Sequence, residues 1–115
     1  MRAAVTLKEN YEFRRLYQKG ASAVSPVMVL YCRKNRLGHN RLGLVSSTKL
    51  GHAVVRNRTR RRLREIYRLN EHRFARGYDI VVVARSAAVD ADFAVLERAY
   101  LNLAKKAGIL SEADR

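Results

Sequence analysis

The densest chemistry in the sequence is the run Arg56-Asn57-Arg58-Thr59-Arg60-Arg61-Arg62-Leu63-Arg64-Glu65. Guanidinium groups grip phosphate oxygens with a planar fork of donors, and they stack on base rings. At about 100° per residue, Arg56, Asn57, Arg60, Arg61, Arg64 and Arg68 fall within an arc of roughly 140°. Val55, Thr59, Leu63, Ile66 and Leu69 take the other side, so a helix here buries one flank and presents a cationic stripe on the other. Arg58 and Arg62 stand near the boundary, placed to cross-link to other elements. Glu65 is the one acid between Arg56 and Asn70, whereas a solvated helix interleaves signs. The like-charge ladder Arg56/Arg60/Arg64/Arg68 costs about 0.2–0.5 kcal/mol per pair when unpartnered, a cost that bound phosphates remove. A plain solvated basic face is the alternative reading.

Two further sets could do chemistry. Phe13, Tyr17 and Tyr31 offer rings on which bases stack at about 1–3 kcal/mol each, whatever the base; packing of a helix on a sheet is the other use for them. Asp90 and Asp92 could chelate a metal or start a helix as anions at the positive end of its dipole. His39, His52 and His72 are scattered and form no metal-ligand spacing. No nucleophile–base set and no phosphate-cradling glycine loop occurs, so neither catalytic nor metal-binding residues are expected in the protein itself. Lone Cys32 excludes an internal disulfide and reads as a small core residue.

The charge has a location. The 115 residues carry 24 Lys+Arg against 10 Asp+Glu, a net +14. Between Arg14 and Arg76 stand 17 basic and 2 acidic residues, and the remainder of the chain holds 7 and 8. A localised excess marks a binding face for a polyanion, where a solubility device would be diffuse. An apolar content of 48% argues against disorder throughout. No apolar run approaches the ~20 residues of a membrane span. Charged residues interrupt the N-terminus before an apolar segment forms, so no secretory signal is expected and the cytoplasm is the expected location.

The elements that position these residues follow from periodicity and punctuation. Thr6-Leu7-Lys8-Glu9 has the form of a capping box, and a helix is predicted from about Leu7 to Lys19, ended by Gly20. Val27 to Cys32 and Arg41 to Ser47 read as strands, separated by a polar turn and expected to pair as a hairpin. A helix of roughly five turns is predicted from Gly51 to about Asn70. Tyr78 to Ala84 is almost continuously apolar, as in a strand covered on both faces. Phe93, Leu96, Tyr100, Leu103 and Ala107 place a last helix after Asp90 and Asp92, closed by Gly108. The order helix–strands–helix–strand–helix makes residues 1–115 one α+β domain, a single-domain α/β sandwich. A helix-turn-helix protein is disfavoured, because strands flank the arginine helix.

The stretch Arg41-Leu42-Gly43-Leu44-Val45-Ser46-Ser47-Thr48-Lys49-Leu50-Gly51-His52-Ala53-Val54-Val55-Arg56-Asn57-Arg58, continuing to Glu65, resembles the signature of the bacterial ribonuclease P protein family. That family has a strand, a Ser/Lys turn, Gly-x-Ala-Val, Arg-Asn-Arg and a basic helix in this order. The Leu7–Gly20 segment, Val29-Leu30-Tyr31 and Gly77–Arg85 are similar to the family's first helix, aromatic-bearing strand and last strand. The resemblance implies a ribosomal-protein-S5-domain-2-like fold with a left-handed β-α-β crossover. It implies an accessory subunit whose large RNA partner, with Mg²⁺ bound mainly by RNA, removes the 5′ leader of precursor tRNA. Carried over, Arg56, Asn57, Arg58, Arg60, Arg61, Arg64 and Arg68 would contact the catalytic RNA. Phe13, Tyr17 and Tyr31 would line a cleft for the single-stranded leader, with Ser47 and Lys49 at its basic edge. The implied partners are RNA subunit and precursor tRNA, with no membrane and no obligate protein partner. One departure stands at Thr48, where the family often carries a second lysine. A structural RNA-binder of ribosomal type is the other reading of the basic helix.

Overall fold

A computed structural model describes residues 5–111; the predicted domain limits, 1–115, run beyond these at both ends. The elements are β1 (Val5–Thr6), α1 (Asn10–Lys19), β2 (Ala21–Val24), β3 (Met28–Lys34), β4 (Arg41–Val45), α2 (Ala53–Asn70), β5 (Tyr78–Ala84) and α3 (Phe93–Lys106). The strands form one five-stranded sheet in the order β1-β4-β5-β3-β2. The α+β class and element order follow the sequence expectation, with β1 and β2 in addition. β1 is only two residues long, and β2, Ala21–Val24, lacks the β-branched run that marks a strand in isolation.

The expected β3–β4 hairpin does not form. β5 lies between these strands, antiparallel to β3 and parallel to β4. The reason is burial. Ile80, Val81 and Val82 are fully buried, and only the central position covers both faces of so apolar a strand. β3 is free to pair on its other side with β2. β4 pairs in parallel with β1.

Alternation divides the sheet into two faces. One carries Met28, Leu30, Cys32, Leu42, Ile80, Val82 and Ala84. Against it pack α2, through Leu63, Ile66 and Tyr67, and α3, through Leu96, Tyr100 and Leu103. Cys32 is a buried member of this core, as expected, and burial pushes its thiol pKa up. Tyr67 and Tyr100 are the largest fully buried side chains. Phe74 sits between them, 4.9 Å from the Tyr67 ring and 6.1 Å from the Tyr100 ring. Buried Asn40 closes the lower end of this layer. Its Nδ2 donates to Tyr67 Oη at 3.0 Å and to the Ala75 carbonyl at 2.9 Å. Its Oδ1 accepts from the Tyr78 amide at 2.9 Å.

The opposite face carries Val29, Tyr31, Arg33, Arg41, Gly43, Val45, Asp79, Val81 and Val83, by the register of the strands. α1 covers part of it with a smaller cluster of Leu7, Leu16 and Val81, flanked by Phe13, Tyr31, Val45 and Val83. α1 starts later than predicted. Glu9 is its N-cap and Glu12 completes the capping box, in place of Thr6 and Glu9. Thr6 is unavailable because it pairs with Leu42 in β1.

Candidate nucleic-acid interface

Two surfaces stand out: the outer side of α2, and the part of the second sheet face that α1 leaves open. α2 begins after a 3₁₀ turn, Thr48–Leu50, capped by the Ser47 hydroxyl, which accepts from the Lys49 amide at 3.3 Å. Gly51 then takes φ +136°, a conformation L side chains avoid, and turns the chain into the helix. His52 is the N-cap residue of α2, and its side chain makes no cap hydrogen bond.

The arginines of α2 separate into two groups. Arg56 and Arg60 are half-buried and hold the helix start to the preceding segment. Arg56 Nη1 donates to the Gly51 carbonyl at 2.9 Å. Arg60 Nη1 donates to Ser46 Oγ at 2.6 Å, and its Nη2 bonds to Asn57 Oδ1. Arg62 reaches the Ala91 carbonyl before α3, the cross-link expected of a boundary position. Arg58, Arg61 and Arg64 are exposed and hydrogen-bond to no other described residue. Arg68 is also exposed but is held by Glu65, Nε to Oε1 at 2.9 Å and Nη2 to Oε2 at 2.6 Å. This pair keeps the Glu65 carboxyl below its ordinary pKa.

The outward stripe therefore runs through Asn57, Arg58, Arg61, Arg64 and Arg68. Of the predicted arc Arg56, Asn57, Arg60, Arg61, Arg64 and Arg68, four residues face outward, Arg56 and Arg60 turn to the preceding segment, and Arg58, expected at the boundary, joins the stripe. The wheel weighs residues of the helix alone, whereas the segment from Ser46 to Gly51 supplies polar acceptors on the Arg56/Arg60 side. Leu69, expected on the buried flank, is 45% exposed, and Tyr67 is buried there.

The second surface lies beside α1. Phe13 lies on Gly43, where an added Cβ would come within 2.6 Å of its ring. Tyr17 and Tyr31 meet edge to face, ring centroids 4.9 Å apart and planes at 66°. Burial, with Tyr31 alongside, pushes the Tyr17 phenol pKa up. Tyr17 nonetheless keeps 43% of its surface exposed. Beyond this pair α1 ends, and Val24, Val29, Val83 and Val45 form an aligned row across β2, β3, β5 and β4. Val29, Val83 and Val45 are half-buried and Val24 is 57% exposed. The row is an apolar floor about 14 Å wide, three strand spacings. Tyr17 and Tyr31 form its aromatic wall.

The structure thus brings Phe13, Tyr17 and Tyr31 together. Phe13 is mostly a packing residue; Tyr17 and Tyr31 present ring surface. Ser47 and Lys49 are exposed in the turn that follows Val45, bonded to each other. Thr48 is exposed beside them. The valine row was missed from sequence: its members sit on three strands and an edge, and only the register aligns them. Asp92 is the N-cap residue of α3, which favours the helix-start reading. Among the described residues no group of three or more His, Cys, Asp or Glu could hold a metal ion.

The comparisons with known proteins bear on the family and the fold. The family model described as Ribonuclease P matches residues 1–108. The chain belongs to the ribonuclease P protein family. The ribonuclease P protein component of Clostridium botulinum strain Langeland is 45% identical over 104 residues, 90% of this chain and 94% of the relative. That of Natranaerobius thermophilus is 40% identical over 112 residues, 97% of each chain. The solved structure of the Staphylococcus aureus RNase P protein superposes with a TM-score of 0.85 at 33% identity, over 94% of this chain and 99% of that one. The Thermotoga maritima RNase P protein gives 0.81 at 33% identity, over 88% and 96%. Family membership connects the fold with tRNA processing by ribonuclease P.

Proposed function

We propose that this ribonuclease P family protein is the accessory subunit that binds the enzyme's catalytic RNA and the 5′ leader of precursor tRNA. The observation that carries the reading is the separation of two surfaces of different chemistry on one rigid sheet. One is a stripe of guanidinium groups, three of them without partners among the described residues, suited to the closely spaced phosphates of folded RNA. The other is an aromatic and aliphatic cleft suited to an unpaired strand, whose bases stack and whose sequence varies. The two adjoin at the Ser46–Gly51 segment, which links the cleft floor at Val45 to the start of α2.

In this reading Asn57, Arg58, Arg61, Arg64 and Arg68 contact the RNA subunit. Arg56 and Arg60 hold the helix in place and reach RNA at their edges. Tyr17 and Tyr31 stack leader bases over the valine row, with Phe13 behind them and Ser47 and Lys49 at the rim. Hydrolysis, with its Mg²⁺, belongs to the RNA subunit, and no side chain of this protein enters the reaction. The protein acts by binding energy: it holds leader and RNA subunit in one frame, which lowers the entropic cost of assembling the cleavage site. Its place of action is the cytoplasm; among the described residues no helix is long and apolar enough to cross a membrane.

The test is reconstitution with the cognate RNA subunit at low Mg²⁺. Binding of the RNA, faster precursor cleavage and tighter binding of leader-bearing than of leaderless tRNA are expected. Absence of both RNA binding and stimulation would refute the proposal. RNA binding without leader dependence would instead favour a structural RNA-binder.

A further inference from the structure

β4 presents three residues to the open sheet face, and they divide the seating of α1 between them. Val45 is left as cleft floor. Gly43 lets Phe13 approach the backbone. Arg41 fastens the other end of the helix. Its Nη1 meets Glu12 Oε2 of α1 at 2.6 Å, while Nε and Nη2 fork onto Asp79 Oδ1 and Oδ2 of β5 at 2.8 and 2.7 Å. Arg41 and Asp79 are direct cross-strand partners. Asn35 Nδ2 donates to Asp79 Oδ1 at 2.8 Å, fixing that carboxylate from the far side. The ion triad is largely enclosed, with side chains only 22%, 11% and 12% exposed for Arg41, Glu12 and Asp79.

Glu12 has a second duty. Its Oε1 accepts from the Glu9 amide at 3.2 Å and the Lys8 amide at 3.4 Å, closing the N-terminus of α1. One carboxylate therefore ties the helix start to itself with one oxygen and to the sheet with the other. Besides this tie the helix rests on Leu16, its single buried side chain, with Phe13 on Gly43 and Tyr17 against Tyr31. Tyr17 lies five residues beyond Glu12, about 7.5 Å along the axis. A small tilt of α1 about its Arg41 anchor thus displaces Tyr17 relative to Tyr31 and the valine row.

We infer that Arg41, through Glu12 and Asp79, is a positioning residue that sets where Tyr17 stands against Tyr31 and the valine row, beyond any part in stability. The inference rests on the proposed leader-binding role. Glu12→Gln keeps a polar group for the helix cap but cannot both cap and accept from Arg41. Arg41→Lys keeps the charge but has no fork to hold two carboxylates at once. Glu9→Ala weakens the same helix cap without touching Arg41, and serves as the stability control.

The experiment measures, in the complex reconstituted with the RNA subunit, the ratio of affinities for leader-bearing and leaderless precursor tRNA. Melting temperature and affinity for the RNA subunit are measured for each protein. Glu12→Gln and Arg41→Lys are expected to lower the ratio by roughly tenfold, the scale on which sub-ångström misplacement acts, with RNA-subunit affinity retained. Glu9→Ala is expected to lower the melting temperature and keep the ratio. An unchanged ratio in Glu12→Gln overturns the inference, as does an equal loss in Glu9→Ala. Should Arg41→Lys not fold, Glu12→Gln decides alone. A wild-type complex that shows no leader preference overturns the leader-binding reading itself, a result distinct from either.

Discussion

At the residue scale, side chains of one type have different work according to what faces them. Arg61 and Arg64 project without partners among the described residues, so Arg61→Ala and Arg64→Ala should each remove about one phosphate contact. The slope of log Kd against log salt for the RNA subunit should become shallower by about 1 per substitution, with the melting temperature little changed. Arg60→Ala should differ: it removes the bond to Ser46 Oγ, which keeps only its donation to the Arg56 carbonyl, and so loosens the start of α2; its main effect is expected in thermal unfolding, at about 1 kcal/mol. At Gly43 the constraint is space. A methyl group there would meet Phe13 Cε1 and Cζ at 2.6 and 2.9 Å. Gly43→Ala is expected to cost about 1–3 kcal/mol by denaturant unfolding.

At the scale of elements, α1 is the least firmly seated helix, held by a small apolar cluster and one ion triad. Burial raises the Glu12 carboxyl pKa, but the Glu9 amide and Arg41 outweigh it and hold it below its ordinary 4.5. Burial likewise raises that of Asp79, and bonds from Arg41 and Asn35 bring it below 3.8. Carboxyls depressed by folding stabilise the native state above their unfolded pKa values, and that contribution vanishes as pH falls through the folded ones. The melting temperature should therefore hold from pH 7 to about 5 and drop below about 4.5. Glu12→Gln should start lower and lose less on acidification. For the cleft, Tyr17→Ala should weaken binding of leader-bearing precursor by about 1–3 kcal/mol, the worth of one stacked base, while leaderless tRNA binds as before. An equal loss for both substrates would make Tyr17 a packing residue only.

At the scale of the whole molecule, one sheet separates a large core from a working face. Leu103 is buried in the large core between α3 and the sheet. Leu103→Ala should cost about 2–5 kcal/mol of stability, yet leave the salt slope and leader preference of the remaining folded protein unchanged. The amino-acid order alone was enough to place three main helices, the apolar central strand, the cationic stretch and the family, because these rest on local periodicity, on capping and on motif spacing within one segment. It misplaced the cap of α1, because Thr6 is drawn into a strand pairing with Leu42 that lies far off in sequence. It placed Asn57, Arg61, Arg64 and Arg68 on the outward stripe but wrongly added Arg56 and Arg60, because the acceptors that retain those two belong to the preceding turn. The insertion of β5 between β3 and β4, the valine row and the Glu12–Arg41–Asp79 triad could not be read from any single segment. Strand neighbours are chosen by which strand most needs burial on both faces, and register then aligns residues tens of positions apart. Such choices are settled by packing between elements, where a helix wheel or a strand alternation carries no information.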